Sequence, residues 1–162
     1  MPSILELVMG NSQYKIKFGG LSFGEHQFEF EVNEKFFEQF SVKANLIKQN
    51  SLMHVLFSFE GVVKLSCDRC LIDFNCRISG NEKLVVKHGN PEESNDEILV
   101  LRDGLDEIEF TQYLYEYIEL ALPSRRVPCE EEDNEVECDE ETLTKFNELK
   151  IEEESKKTDP KW

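Results

Sequence analysis

Two pairs of cysteines could together bind one metal ion. Cys67 and Cys70 are separated by two residues, the spacing typical of zinc sites, whereas eight residues separate Cys129 from Cys138. Four thiolates form one of the donor sets that hold zinc tetrahedrally in structural sites. The sequence therefore predicts a structural zinc site made by Cys67, Cys70, Cys129 and Cys138, which would join a turn in the middle of the chain to its C-terminal part.

Some residues around these thiols favour metal binding, and others oppose it. Arg69 would stabilise thiolates, whereas Asp68 and the acidic run 130–133 would work against them. Unligated thiols are one alternative to a metal site. A redox pair is another, although the motif opens no helix whose N-terminus could lower a thiol pKa. Cys76 shares strand parity with apolar neighbours and is predicted to be a core thiol rather than a ligand.

The composition limits the classes of function. The chain has 162 residues, 34 of them acidic and 18 basic, which gives a formal net charge of −16. Such an excess of negative charge disfavours general affinity for nucleic acids. The N-terminus has no basic region, and no segment approaches the roughly 20 apolar residues of a membrane span. We expect a cytoplasmic protein without membrane contact, in which thiols are more common than disulfides.

Alternating apolar and polar residues over the first hundred positions predict β-strands that each bury one face. Cys67 and Cys70 lie between two such strands, so their motif is predicted to form the tip of a hairpin. Residues 34–40 carry phenylalanines at helical spacing and predict one or two helical turns. Short connections predict an antiparallel sheet, or a partly open barrel, of about seven or eight strands.

Two helices are predicted after the strands. Residues 111–122 carry an apolar stripe at helical spacing and stop at Pro123, and Asp139 is a suitable N-cap for a shorter helix. The sheet and the main helix together predict an α+β fold. We predict three parts: an α+β domain at 1–128, an acidic cysteine-containing extension with the short helix at 129–151, and a disordered tail at 152–162.

Several of these features occur in a distinctive order. A strand leads into Cys67-Asp68-Arg69-Cys70-Leu71, followed by Ile108-Glu109-Phe110, a helix ending Ala121-Leu122-Pro123, and Cys129. This succession resembles the YceD-like family of bacterial large ribosomal RNA subunit accumulation proteins, and Gly20–Phe30 is similar to the family's N-terminal part. The resemblance covers most of residues 12–130. It implies a non-enzymatic role in the synthesis, processing or stability of 23S rRNA, with that rRNA, a pre-50S particle or a ribosomal protein as partner.

Direct contact with RNA would require basic side chains gathered on one surface. The candidates are Lys15 and Lys17 on one strand face, Arg69 and Arg77 beside the cysteine hairpin, and Arg125 and Arg126 after the main helix. Solvated lysines and arginines without a binding role are the alternative interpretation.

An acidic chain can instead act as an adaptor between proteins. Residues 129–162 contain 14 acidic and 5 basic side chains, a net charge of −9, which suits contact with a basic ribosomal protein. A zinc-stabilised adaptor without RNA contact is therefore the alternative function. A segment that only increases solubility is the simpler interpretation of the same charge.

No pattern in the sequence predicts an enzyme. His26, His54 and His88 are far apart, and the chain has neither a glycine-rich phosphate loop nor a nucleophile elbow. A zinc hydrolase would need an open coordination position and a positioned base, for which the sequence offers no candidates. We therefore expect no catalysis and no small-molecule substrate.

Overall fold

The computed structural model describes residues 14–33, 35–130 and 136–156. These residues form the predicted α+β fold, with seven strands and two α-helices. The strands are β1 (Lys15–Lys17), β2 (Gly24–Val32), β3 (Phe37–Lys48), β4 (Leu52–Ser66), β5 (Asp73–His88), β6 (Ile98–Leu101) and β7 (Glu107–Glu109). The helices are α1 (Thr111–Ala121) and α2 (Glu140–Lys156). Neither helix is long and apolar enough to cross a membrane, and the described ranges hold no other candidate.

The strands are divided between two sheets. Five of them follow the order β2-β3-β4-β5-β6, and β1 pairs separately with β7. The β2/β3 and β3/β4 pairs are antiparallel as predicted, but β6 runs parallel to β5. The prediction of a wholly antiparallel sheet is therefore wrong, and the seven-to-eight-stranded barrel is not confirmed. The physical reason is the connection at 89–97, which includes a 3-10 turn at Pro91–Glu93 and carries the chain back along the last residues of β5, so that β6 starts beside Val85 and ends beside His88.

The predicted helical turns at 34–40 are also not formed. Residue 34 lies outside the described residues, and from Phe37 onward the chain is strand β3. A bulge between Glu38 and Ser41 shifts the register, and Gln39 has a φ of 49°. The extra residue places both Phe37 and Phe40 on the buried side at a spacing of three. Because of this bulge, two buried strand residues occur in the sequence at a spacing that is typical of a helix.

The structure divides into two compact units, and the first contains most of the sheet. It comprises Met1–Val63 and Arg77–Leu122, described from residue 14. Inward-facing residues of the strands pack against α1; the ring of Phe57 lies 5.0 Å from that of Phe110 and 5.8 Å from that of Tyr117. Each fully buried aromatic or aliphatic side chain of this kind stabilises the fold by about 2 kcal/mol. Most residues of β4 and β5, the two long strands that the cysteine turn connects, belong to this unit.

The second unit comprises Lys64–Cys76 and Pro123–Trp162. It groups the cysteine turn with the C-terminal segment, whereas the predicted boundary at 128 separated them. Asp139 caps α2 as predicted: its carboxylate accepts hydrogen bonds from the Glu141 N–H at 3.2 Å and the Thr142 hydroxyl at 2.6 Å. The helix continues to Lys156, past the predicted start of the disordered tail at 152, and residues 157–162 lie outside the described residues.

Candidate metal centre

Hydrogen bonds shape the cysteine turn, residues 67–70, which connects the neighbouring strands β4 and β5. The N–H of Cys67 donates to the Ile72 carbonyl at 2.8 Å, and the N–H of Leu71 donates to the Cys67 carbonyl at 3.0 Å. The N–H of Arg69 approaches the Cys67 sulfur at 3.4 Å. Leu71 takes a left-handed conformation with φ of 61° to close the turn. An N–H aimed at sulfur stabilises a thiolate, so the turn is suited to metal binding.

A second contact brings the C-terminal segment to this turn. The N–H of Asp68 donates to the Arg126 carbonyl at 2.7 Å, and the Arg126 N–H donates to the Asp68 carboxylate at 2.8 Å. Cys129 follows three residues later, in a 3-10 turn at Pro128–Glu130. The backbone of the segment is thus fixed just before it supplies its thiol.

Three of the four predicted ligands lie together. The Cys129 sulfur is 4.0 Å from the Cys67 sulfur and 3.5 Å from the Cys70 sulfur, and all three lie within 4.8 Å of one another. Four sulfurs around zinc at about 2.3 Å stand about 3.8 Å apart, the edge of the tetrahedron. Cys67 and Cys70 are buried and Cys129 is half-buried. The donor type and the spacing of this thiol cluster therefore fit zinc.

The fourth predicted ligand, Cys138, is bonded to Cys129 in a disulfide, with the two Cα atoms 5.6 Å apart. This differs from the expectation of thiols throughout. Its physical reason is proximity: Cys138, which precedes α2, lies directly beside Cys129. A disulfide and a pair of zinc-bound thiolates are alternative states of two such residues, because zinc binds the reduced, deprotonated form.

The surroundings of Cys70 favour its thiolate. Burial raises the pKa of this thiol, but hydrogen bonds from the backbone N–H groups of Ile72 and Asp139, together with the Cys67 side chain, lower it by more, so the pKa lies below its ordinary value. Asp139 is the N-cap of α2, and the charge of its carboxylate acts in the opposite direction and raises the Cys70 pKa. Cys76 is half-buried and does not belong to the thiol cluster.

A comparison with protein families gives the context of this cluster. A family model described as large ribosomal RNA subunit accumulation protein YceD matches residues 55–162. The chain belongs to the YceD family. The matched range contains all four cysteines of the predicted site, whereas the resembling segment Gly20–Phe30 precedes it. Comparisons with curated proteins and with solved structures give no match.

The six basic residues predicted to contact RNA are divided between the two units of this YceD family member. The first unit contains Lys15, Lys17 and Arg77, and the second contains Arg69, Arg125 and Arg126. Lys15 forms a salt bridge with Glu107 at 3.1 Å, and Lys17 is the register partner of Glu107 across the β1/β7 pair. Two of the predicted RNA contacts therefore lie on a ribbon whose other strand is acidic.

Sequence reasoning missed two residues of the YceD centre. The charge of Asp68 is predicted only to oppose thiolates, yet its carboxylate accepts a hydrogen bond from the Arg126 backbone N–H. Its partner is a main-chain group 58 residues away, for which the sequence carries no signal. Asp139 was predicted as a helix cap but not as a donor to sulfur. Its position directly after Cys138 is the signal that could have indicated this role.

Proposed function

We propose that this protein is a non-enzymatic assembly factor of the large ribosomal subunit that supports the synthesis, processing or stability of 23S rRNA. The family match over residues 55–162 is the observation that carries the proposal. It spans α1 and the thiol cluster, including the cysteine turn and the C-terminal segment that supplies Cys129.

We propose further that the reduced chain binds one structural zinc ion through Cys67, Cys70, Cys129 and Cys138. The spacing of the sulfurs and the lowered pKa of Cys70 support this assignment. Zinc would crosslink two distant parts of the second unit. This small unit would need the crosslink because few apolar side chains are buried among its described residues.

The proposed cysteine ligands and the contacts of two histidines elsewhere in the chain support a structural rather than a catalytic metal. Four cysteine ligands would leave no open coordination position for a substrate or a reactive water molecule. The imidazoles of His26 and His88 lie against backbone carbonyls, those of Ser22 at 2.8 Å and Leu105 at 3.0 Å. Neither contact resembles a general base that faces a nucleophile.

Action through a basic protein partner is the first route to 23S rRNA that we propose. The net charge of −16 attracts basic polypeptides and repels phosphates. Direct RNA contact is the second candidate. It would use Arg69, Arg125 and Arg126, which all belong to the second unit. Arg69 follows Asp68 in the sequence, and the Arg126 backbone is hydrogen-bonded to Asp68.

The experiment is deletion of the gene in its own host, with the ratio of 23S to 16S rRNA as the readout. We expect a lowered ratio that the wild-type chain restores. Crosslinking of the complementing protein, followed by sequencing of bound RNA and identification of bound proteins, separates the two routes. An unchanged ratio, together with recovery of neither ribosomal RNA nor ribosomal proteins, would refute the proposed function.

A further inference from the structure

The disulfide between Cys129 and Cys138 joins two of the four residues that we assign to zinc, and all four belong to the second unit. Zinc binds cysteine as a thiolate, and a disulfide offers no thiolate. With this pair oxidised, only Cys67 and Cys70 of the proposed ligands remain as thiols. Structural zinc sites use four protein ligands. The disulfide and a bound zinc ion therefore exclude each other.

The two cysteine pairs differ in their access to solvent. Cys67 and Cys70 expose 0% and 1% of their surface, so a dissolved reagent does not reach their sulfurs. Cys129 and Cys138 are both half-buried. The susceptibility of a cysteine to oxidation follows its exposure as well as its thiolate character. Of the four sulfurs, an oxidant therefore reaches those of Cys129 and Cys138 first.

The positions of Cys129 and Cys138 also suit a disulfide. Their Cα atoms are 5.6 Å apart, inside the range of about 4.4–6.8 Å that disulfides span. The sequence separation of the pair is 9, so closing this short loop costs little chain entropy. The disulfide coexists with the hydrogen bond between Asp68 and Arg126. Oxidation is thus compatible with a C-terminal segment that stays at the cysteine turn.

We propose that Cys129 and Cys138 are a site of reversible oxidation by small disulfide compounds, and that oxidation there releases the zinc ion. The buried pair, Cys67 and Cys70, stays reduced throughout. The release of zinc rests on the zinc site of the proposed function, whereas the oxidation of Cys129 and Cys138 does not.

The reaction consists of two successive thiol–disulfide exchanges. One of the two cysteine thiolates attacks a sulfur of the small disulfide, which forms a mixed disulfide and releases one thiolate of the reagent. The other cysteine thiolate then attacks the cysteine sulfur of the mixed disulfide, which forms the Cys129–Cys138 bond and releases the second reagent thiolate. Two electrons pass from the cysteines to the reagent. Cys67 and Cys70 each take up a proton as zinc leaves, and an excess of the small thiol reverses every step.

The test is incubation of the zinc-loaded full-length chain with bis(2-hydroxyethyl) disulfide. This reagent is uncharged, so the six acidic residues between Cys129 and Cys138 do not repel it. A colorimetric chelator measures released zinc, with a sample without oxidant as the blank. Remaining thiols are alkylated in denaturant before digestion with trypsin and mass spectrometry. Both cysteines lie in one tryptic peptide, which follows Arg126 and ends at Lys145, so their disulfide is read directly.

We expect the zinc content to fall about tenfold or more at the rate at which this peptide loses both alkylation sites. Cys67 and Cys70 should remain fully alkylated, and 2-mercaptoethanol with added zinc should restore the starting state. Cys76→Ser is the control and should behave as the wild type, because Cys76 lies outside the thiol cluster. The double variant Cys67→Ser/Cys70→Ser should bind no zinc but should still form the disulfide.

Three results would overturn the proposal: a disulfide between Cys67 and Cys70, a reagent adduct that never resolves to the Cys129–Cys138 bond, or zinc that stays bound after this bond has formed. If the reduced chain holds no zinc while Cys129 and Cys138 are oxidised and reduced reversibly, the proposed zinc site and its release fail and the oxidation site stands. None of these readouts involves 23S rRNA, so an unchanged rRNA ratio in the deletion strain counts against the assembly role alone.

Discussion

Asp68 and Arg126 are joined by two hydrogen bonds across 58 residues of sequence. The Asp68 N–H donates to the Arg126 carbonyl at 2.7 Å, and the Asp68 carboxylate accepts the Arg126 N–H at 2.8 Å. The pair connects the middle of the cysteine turn to the segment that leads into Cys129. Asp68 therefore also positions the segment that supplies the third sulfur, that of Cys129.

Asp68→Ala removes the acceptor of the Arg126 N–H. We expect the free energy of unfolding to fall by about 1 kcal/mol, because a charge-assisted hydrogen bond is lost at an exposed position. Zinc affinity should fall about tenfold, since Cys129 is positioned through this contact. Urea denaturation and competition with a zinc chelator, both under reducing conditions, measure the two effects.

Two further variants separate the hydrogen bond from the charge. Asp68→Asn keeps a side-chain oxygen for the Arg126 N–H and should retain most of the zinc affinity. Asp103→Ala removes an exposed aspartate from a turn of the first unit and should change neither quantity. A normal zinc affinity in Asp68→Ala would contradict the positioning role.

Replacement of single cysteines tests the ligand set. The reduced wild-type chain should contain about one zinc ion, and Cys67→Ser, Cys70→Ser, Cys129→Ser and Cys138→Ser should each reduce the content to near zero. Cys76→Ser is the matched control, because Cys76 lies outside the thiol cluster, and this variant should keep its zinc. Elemental analysis of protein purified with reductant and without chelator provides the measurement. Zinc-free wild-type protein would refute the site.

The sequence predicted features that depend on neighbouring residues and missed those that depend on distant ones. The turn between β4 and β5, helix α1 and the Asp139 cap all follow from local periodicity and capping chemistry. The parallel strand β6 depends on how a nine-residue connection returns to the sheet, which no local pattern encodes. The bulge after Glu38 gave strand residues a helical spacing, so periodicity alone indicated the wrong element.

Gly61→Ala tests the packing around that bulge. A Cβ atom at Gly61 would lie 2.5 Å from the ring and 2.6 Å from the Cα of Phe40. Backbone must move to relieve this contact, so we expect a loss of about 1–3 kcal/mol in the free energy of unfolding. Gly20→Ala is the control, because a Cβ there meets no atom within 4 Å, and its effect should stay within about 0.5 kcal/mol. Equal stabilities of the two variants in urea denaturation would contradict the observed packing.

Tyr117 and Tyr113 on α1 should respond oppositely to loss of their hydroxyls. The Tyr117 hydroxyl is buried without a partner among the described residues, whereas the Tyr113 hydroxyl donates to the Asn95 carbonyl at 3.0 Å. Tyr117→Phe should therefore stabilise the fold by about 1 kcal/mol, and Tyr113→Phe should destabilise it by a similar amount.

The pKa of Tyr117 gives a second prediction, on the pH dependence of stability. Burial, followed by the charge of Glu82, raises the pKa of Tyr117 from 10 to about 12. The folded state thus holds this proton more tightly than the unfolded state, so wild-type stability falls between about pH 10 and 12. Thermal melts across that range should show a shallower fall in Tyr117→Phe; an unchanged slope, or destabilisation at pH 7, would contradict the buried, unpaired hydroxyl.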